Sequence, residues 1–85
     1  MELTGQRVLV VGLGKSGLAA LRLLAAHGAR VIGNDLRSEA ELGEIAIAAR
    51  AAGAELVLGS HEPALFRSVD RIVVSPGVPP SAALA

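Results

Sequence analysis

An α/β fold on a parallel sheet of about four strands is what this 85-residue sequence predicts, and three observations predict it. Short apolar runs recur along the chain, segments of helical periodicity separate them, and a glycine-rich or polar cluster follows several of the runs. In an open parallel sheet such clusters fall at the carboxyl ends of the strands, where the ligand crevice forms.

Residues 7–11 are apolar from Val8 to Val11 and rich in β-branched side chains, as expected of a strand buried on both faces. From Ser16 to His27 the period changes to that of a helix, with Leu18, Leu21, Leu24 and Ala25 on one stripe and Gly28 at the position that ends it. Arg30 to Asn34 is a second short strand. Ser38-Glu39-Ala40-Glu41 has the form of a capping box, in which serine and glutamate each bond the other's backbone N–H. It opens a second helix with Leu42, Ile45, Ala49 and Ala52 on one face, stopped at Gly53. Gly43 costs that helix roughly 1 kcal/mol relative to alanine, so one continuous helix is expected. Glu55 to Leu58 reads as a third strand, Pro63 to Ser68 as a short helix and Asp70 to Val74 as a fourth strand.

The alternation of strands and helices with short loops argues for right-handed crossovers and helices on both faces, and the expected architecture is a Rossmann-like three-layer sandwich with strand order 3-2-1-4. Val78 to Ala85 reads as the start of a further helix leading to a fifth strand. Residues 1–85 are therefore expected to be one domain, cut short near its C-terminal end. The fourth strand would be left as an apolar edge open to self-association.

Composition narrows the function. With 52% hydrophobic and 19% charged residues the chain belongs among globular proteins. Its eight basic and eight acidic residues are not clustered, which gives no electrostatic footprint for nucleic acid or an anionic membrane. The absence of cysteine excludes disulfides and thiolate sites. No signal-peptide pattern and no apolar run of roughly 18 residues is present, so the expected location is the cytoplasm. His27 suits the end of a helix, His61 has no second ligand at metal spacing, and no nucleophile, base and acid fall into a recognisable set. A binding domain without catalytic residues of its own is the expectation.

The binding residues are expected at the strand ends. In Gly12-Leu13-Gly14-Lys15-Ser16-Gly17 the first glycine permits a tight turn, Gly14 lets backbone approach a phosphate, and Gly17 lets the helix pack closely on the sheet. The N–H groups that open the helix, with the positive end of its dipole, make an anion site. The alternative of a phosphate-gripping P-loop fails, because it needs glycine at position 9, where Leu9 stands. Asp35 lies where dinucleotide folds place an acid for ribose hydroxyls, and it could equally accept the imide N–H of a uracil. The Leu36 N–H can donate beside it and the Arg37 guanidinium can stack on a flat base. In Ser75-Pro76-Gly77, serine offers a hydroxyl across the crevice, proline fixes the chain and glycine supplies permissive geometry.

Together the glycine loop, Asn34-Asp35-Leu36-Arg37, Leu58-Gly59-Ser60-His61 and Val73-Val74-Ser75-Pro76-Gly77-Val78-Pro79-Pro80 resemble the N-terminal domain of the D-glutamate-adding Mur ligases of peptidoglycan synthesis. The resemblance covers essentially the whole chain. It implies a domain that binds the UDP part of UDP-N-acetylmuramoyl-L-alanine and holds no cofactor itself. Gly14, Lys15, Ser16 and Gly17 would meet the diphosphate, Asp35, Leu36 and Arg37 the uracil, and Ser75, Pro76 and Gly77 the ribose and phosphate side. It also implies that ATP, Mg²⁺ and D-glutamate are handled by central and C-terminal domains that this chain lacks. Two other readings stand beside it. One is an NAD(P)-binding fragment of a dehydrogenase, and the other a nucleotide-sensing module of a transporter or channel.

Overall fold

The computed structural model describes residues 2–75. Pro76, Gly77 and the expected C-terminal helix lie outside them.

The elements run β1 (Arg7–Val11), α1 (Lys15–Ala26), β2 (Arg30–Asp35), α2 (Glu39–Leu42), α3 (Glu44–Ala51), β3 (Glu55–Leu58), α4 (Pro63–Arg67) and β4 (Arg71–Val74). All pairings are parallel and the sheet order is β3-β2-β1-β4, as expected of a Rossmann-like fold. Arg7 pairs with Arg30, Val8 with Arg71, and Ile32 with Glu55.

Helices cover both faces, which explains why β1 is apolar without alternation. Val10 and Val31 face a core made with Leu13, Leu21, Leu42, Ala46 and Ala49. Leu9, Val11 and Ile32 face the other way, against Val57 and against Leu65 and Phe66 of α4. Val8 through Val11 are completely buried. Alternate residues of one strand thus serve two cores, and neither face could be polar without stranding a polar group.

The second helix differs from the expectation. It is broken at Gly43, whose φ of +57° and ψ of −121° suit glycine alone. The propensity argument weighed only the cost of glycine within a helix and not its capacity to turn the chain. The Gly43 N–H closes α2 on the Glu39 carbonyl, and its own carbonyl accepts from Ala46 to open α3. The bend folds α2 back beside α3, where the Arg50 guanidinium bonds the Glu39 carboxylate at 2.6 Å. In a straight helix residues so spaced would lie about 16 Å apart along the axis. The capping box is as expected, with Ser38 Oγ accepting from the Glu41 N–H and Glu41 accepting from the Ser38 N–H.

Among the described residues β4 is one edge of the sheet, with Ile72 and Val74 exposed. No helix among the described residues is long and apolar enough to cross a membrane.

Candidate functional site

The loop from β1 to α1 turns at Gly12, which has φ +92° and donates its N–H to the Asn34 carbonyl at 2.8 Å. α1 begins close against the sheet because position 17 has no side chain. A Cβ there would stand 1.8 Å from the Gly12 carbonyl oxygen and 3.6 Å from Ser75 Oγ. This approach brings three segments to one point: the turn after β1, the first turn of α1 and the residue after β4. Gly14, by contrast, has open space where a Cβ would be.

Among the described residues the start of α1 has no side-chain partner. No side chain caps it, no acid occupies its first turn, and its first helical bond runs from the Leu18 N–H to the Gly14 carbonyl at 2.9 Å. The N–H groups of Lys15, Ser16 and Gly17 are therefore donors of a 12-residue helix with no partner among the described residues. With the positive end of the helix dipole they could receive an anion, and Lys15 and Ser16 are exposed beside them.

At the end of β2, Asp35 is buried and acts as a hub. One carboxylate oxygen accepts from the Leu13 N–H at 2.8 Å and from Arg37 Nη2 at 2.9 Å. The other accepts from the Arg37 N–H and Nε, both at 2.9 Å. These four bonds use the acceptor sites a carboxylate has. The Arg37 guanidinium, helped by the two backbone N–H groups, holds the Asp35 carboxyl well below the usual carboxylate range despite its burial, and Asp35 in turn raises the Arg37 pKa. Asp35 thereby ties the glycine loop to the turn after β2. Leu36 and Arg37 remain open to solvent at 58% and, for the arginine side chain, 48% exposure.

Asn34, completely buried, carries a second set of bonds that the sequence did not single out. Its Nδ2 donates to the carbonyls of Val57 at 2.7 Å and Ser60 at 2.8 Å, and its Oδ1 meets His61 Nδ1. The Gly59 N–H donates to the Asp35 carbonyl at 2.9 Å. The loop after β3 is thus held against the end of β2 as a side wall. The visible signal was a polar residue inside a buried strand; its partners, about 25 positions away, left no local trace.

Ser75 is buried at the opposite side, with its N–H on the Val11 carbonyl at 2.9 Å. Gly14 to Gly17, Asp35 to Arg37 and Ser75 therefore share the carboxyl edge of the sheet. Of the binding residues expected from sequence, Pro76 and Gly77 lie outside the described residues. A separate depression, lined by Arg7, Arg30, Gly53 and Glu55 among others, lies at the amino ends of the strands and contains none of these groups.

Residues 6–84 match the family model for the Mur ligase MurD-like, N-terminal domain. UDP-N-acetylmuramoylalanine--D-glutamate ligase of Desulfosudis oleivorans is 53% identical over 79 residues, 93% of this chain and 17% of that protein. Proteins of the same name from Myxococcus xanthus and Anaeromyxobacter dehalogenans are 53% and 55% identical, over 93% and 92% of the chain. The chain spans 17% of the length of each of these relatives. Among solved structures, the apo-structure of D-lactate dehydrogenase from Escherichia coli superposes with a TM-score of 0.69 at 30% identity, over 95% of this chain and 23% of that one. The flavoprotein disulfide reductase RclA of the same organism gives 0.61 at 17% identity, over 98% and 24%, a likeness of fold alone.

Proposed function

This chain belongs to the family of MurD-like N-terminal domains of Mur ligases, and from that premise we propose that it binds the UDP moiety of UDP-N-acetylmuramoyl-L-alanine. The parent activity would be the ATP-dependent addition of D-glutamate in peptidoglycan synthesis, in the cytoplasm.

The observation that carries this reading is the convergence on one edge of an uncapped helix start and an exposed turn pinned beside it by Asp35. The N–H groups of Lys15, Ser16 and Gly17 suit a diphosphate. Leu36 and the outer face of Arg37 suit a flat base, and Ser75, followed by Pro76 and Gly77, suits the ribose and phosphate side. Asp35 then acts mainly as the anchor of the turn. A uracil N–H would reach its carboxylate by displacing one arm of the half-exposed Arg37 fork.

ATP and Mg²⁺ belong, in this reading, to the central domain of the parent enzyme. The residues here do not fit a triphosphate cradle, since Leu9 is buried in the sheet at the position a P-loop reserves for glycine. What the chain supplies is the binding and orientation of one substrate, while the reacting groups come from elsewhere. Pairing of two copies along β4 is a further proposal, resting on the exposed Ile72 and Val74.

The test is an amide NMR titration of the chain with UDP, NAD⁺ and ATP. UDP should shift Gly14 to Gly17, Asp35 to Arg37 and Ser75 to Gly77, and more strongly than NAD⁺. A stronger response to NAD⁺ at Asp35 would favour the dehydrogenase reading, and a response to ATP alone would sink both. Light scattering tests the pairing, and a strict monomer at high concentration would refute it.

A further inference from the structure

Asn34 is completely buried and uses every polar atom of its side chain. Two of its contacts are carbonyl oxygens, which only accept, so both must face the amide nitrogen. That fixes the orientation of the amide and leaves Oδ1 toward His61 Nδ1. An amide oxygen cannot donate, so His61 Nδ1 must carry the proton. In the neutral ring Nε2 is then an acceptor, and no described residue is hydrogen-bonded to it.

We infer that Asn34 is a positioning residue of the nucleotide site, which with His61 holds the loop after β3 as the wall at the base end of the crevice and keeps the ring in its Nδ1–H tautomer. The inference rests on the nucleotide reading above. Three connections tie that loop to the last residues of β2, immediately before the Leu36–Arg37 turn: Asn34 to Ser60, Asn34 to His61, and Gly59 to Asp35. No comparable bond joins the loop to the start of α1 among the described residues. The wall therefore bears on the base and not on the diphosphate. His61 also lies beside Phe66 of α4, ring centroids 6.1 Å apart and planes tilted by 39°.

Since replacing a wholly buried Asn34 endangers the fold, the variants are His61→Ala and His61→Asn, the second of which retains an N–H donor at the δ position. The first readout is the ¹⁵N spectrum of the imidazole at alkaline pH. It should show a protonated Nδ1 and a bare Nε2, and a protonated Nε2 would overturn the assignment. The second is binding of UDP and of pyrophosphate to the 85-residue chain. His61→Ala should weaken UDP about three- to ten-fold, the effect of one lost hydrogen bond, and leave pyrophosphate within about two-fold. His61→Asn should restore most of the UDP affinity. Unchanged UDP binding in His61→Ala, or equal loss of both ligands, refutes the positioning role. A wild-type chain that binds neither ligand refutes the nucleotide reading and the role together, while the tautomer stands or falls on its spectrum.

Discussion

Gly17→Ala would separate close packing from ligand binding at the head of α1. The new Cβ would stand 1.8 Å from the Gly12 carbonyl oxygen and 2.9 Å from its carbon. Ordinary carbon–oxygen contacts lie at about 3.3–3.6 Å, so helix and turn must part by roughly 1.5 Å. Both contacts are backbone, and no rotamer change relieves them. Moving α1 outward loosens Leu21, completely buried, from its contacts in the core with Val10 and Val31. Overpacking of this kind costs typically 1–3 kcal/mol, and the backbone clash places it at about 3. Alanine returns about 1 kcal/mol through its helix propensity, leaving a net loss of about 2. A domain of this size has only roughly 4–13 kcal/mol in total, so the loss is large. In urea unfolding followed by circular dichroism the midpoint should fall by roughly 1–2 M at an unchanged slope. A midpoint equal to or above wild type would show that the helix is not held against Gly12, and would refute the reasoning.

Gly14→Ala meets no neighbouring atom, so its urea midpoint should stay near that of wild type while UDP binding, read by calorimetry, weakens at least about five-fold if backbone approaches phosphate there. Gly43→Ala should destabilise by more than about 1 kcal/mol in the same unfolding assay, because φ is positive at that position; a gain in stability would mean that α2 and α3 merge into the continuous helix the sequence suggests. Asp35→Asn should cost about 2 kcal/mol near neutral pH, mostly through the buried Leu13 N–H, with the half-exposed Arg37 pair discounted for solvent. Because the folded-state pKa of Asp35 is depressed, the wild-type advantage should be complete above about pH 5 and shrink as the pH falls below about 4, toward the folded value. Denaturant midpoints measured from pH 7 down to pH 2 check this, and a difference that does not change with pH would exclude the ionised Asp35 carboxylate, with its bonds to Leu13 and Arg37, as its source.

Sequence by itself determined the class of fold and the order of elements. Apolar period and turn residues are local quantities: Val8 to Val11 must be a doubly buried strand, Leu18, Leu21 and Leu24 must share one helical stripe, and short crossovers of fixed hand point to a doubly wound sheet, of which 3-2-1-4 is the order observed. The same locality made Gly17 readable as a close-packing residue and Ser38 as a cap. It misled at Gly43, where a propensity counted one residue at a time takes no account of a bend that brings Glu39 to Arg50. Tertiary structure alone decided how the site is held together. Asp35 had the look of a free ligand acid, yet its acceptor sites are taken by Leu13, 22 positions before it, and by Arg37. Asn34 finds Ser60 26 positions and His61 27 positions away. A hydrogen bond is set by distance and direction in space, and those exist only once β1, β2 and β3 lie side by side.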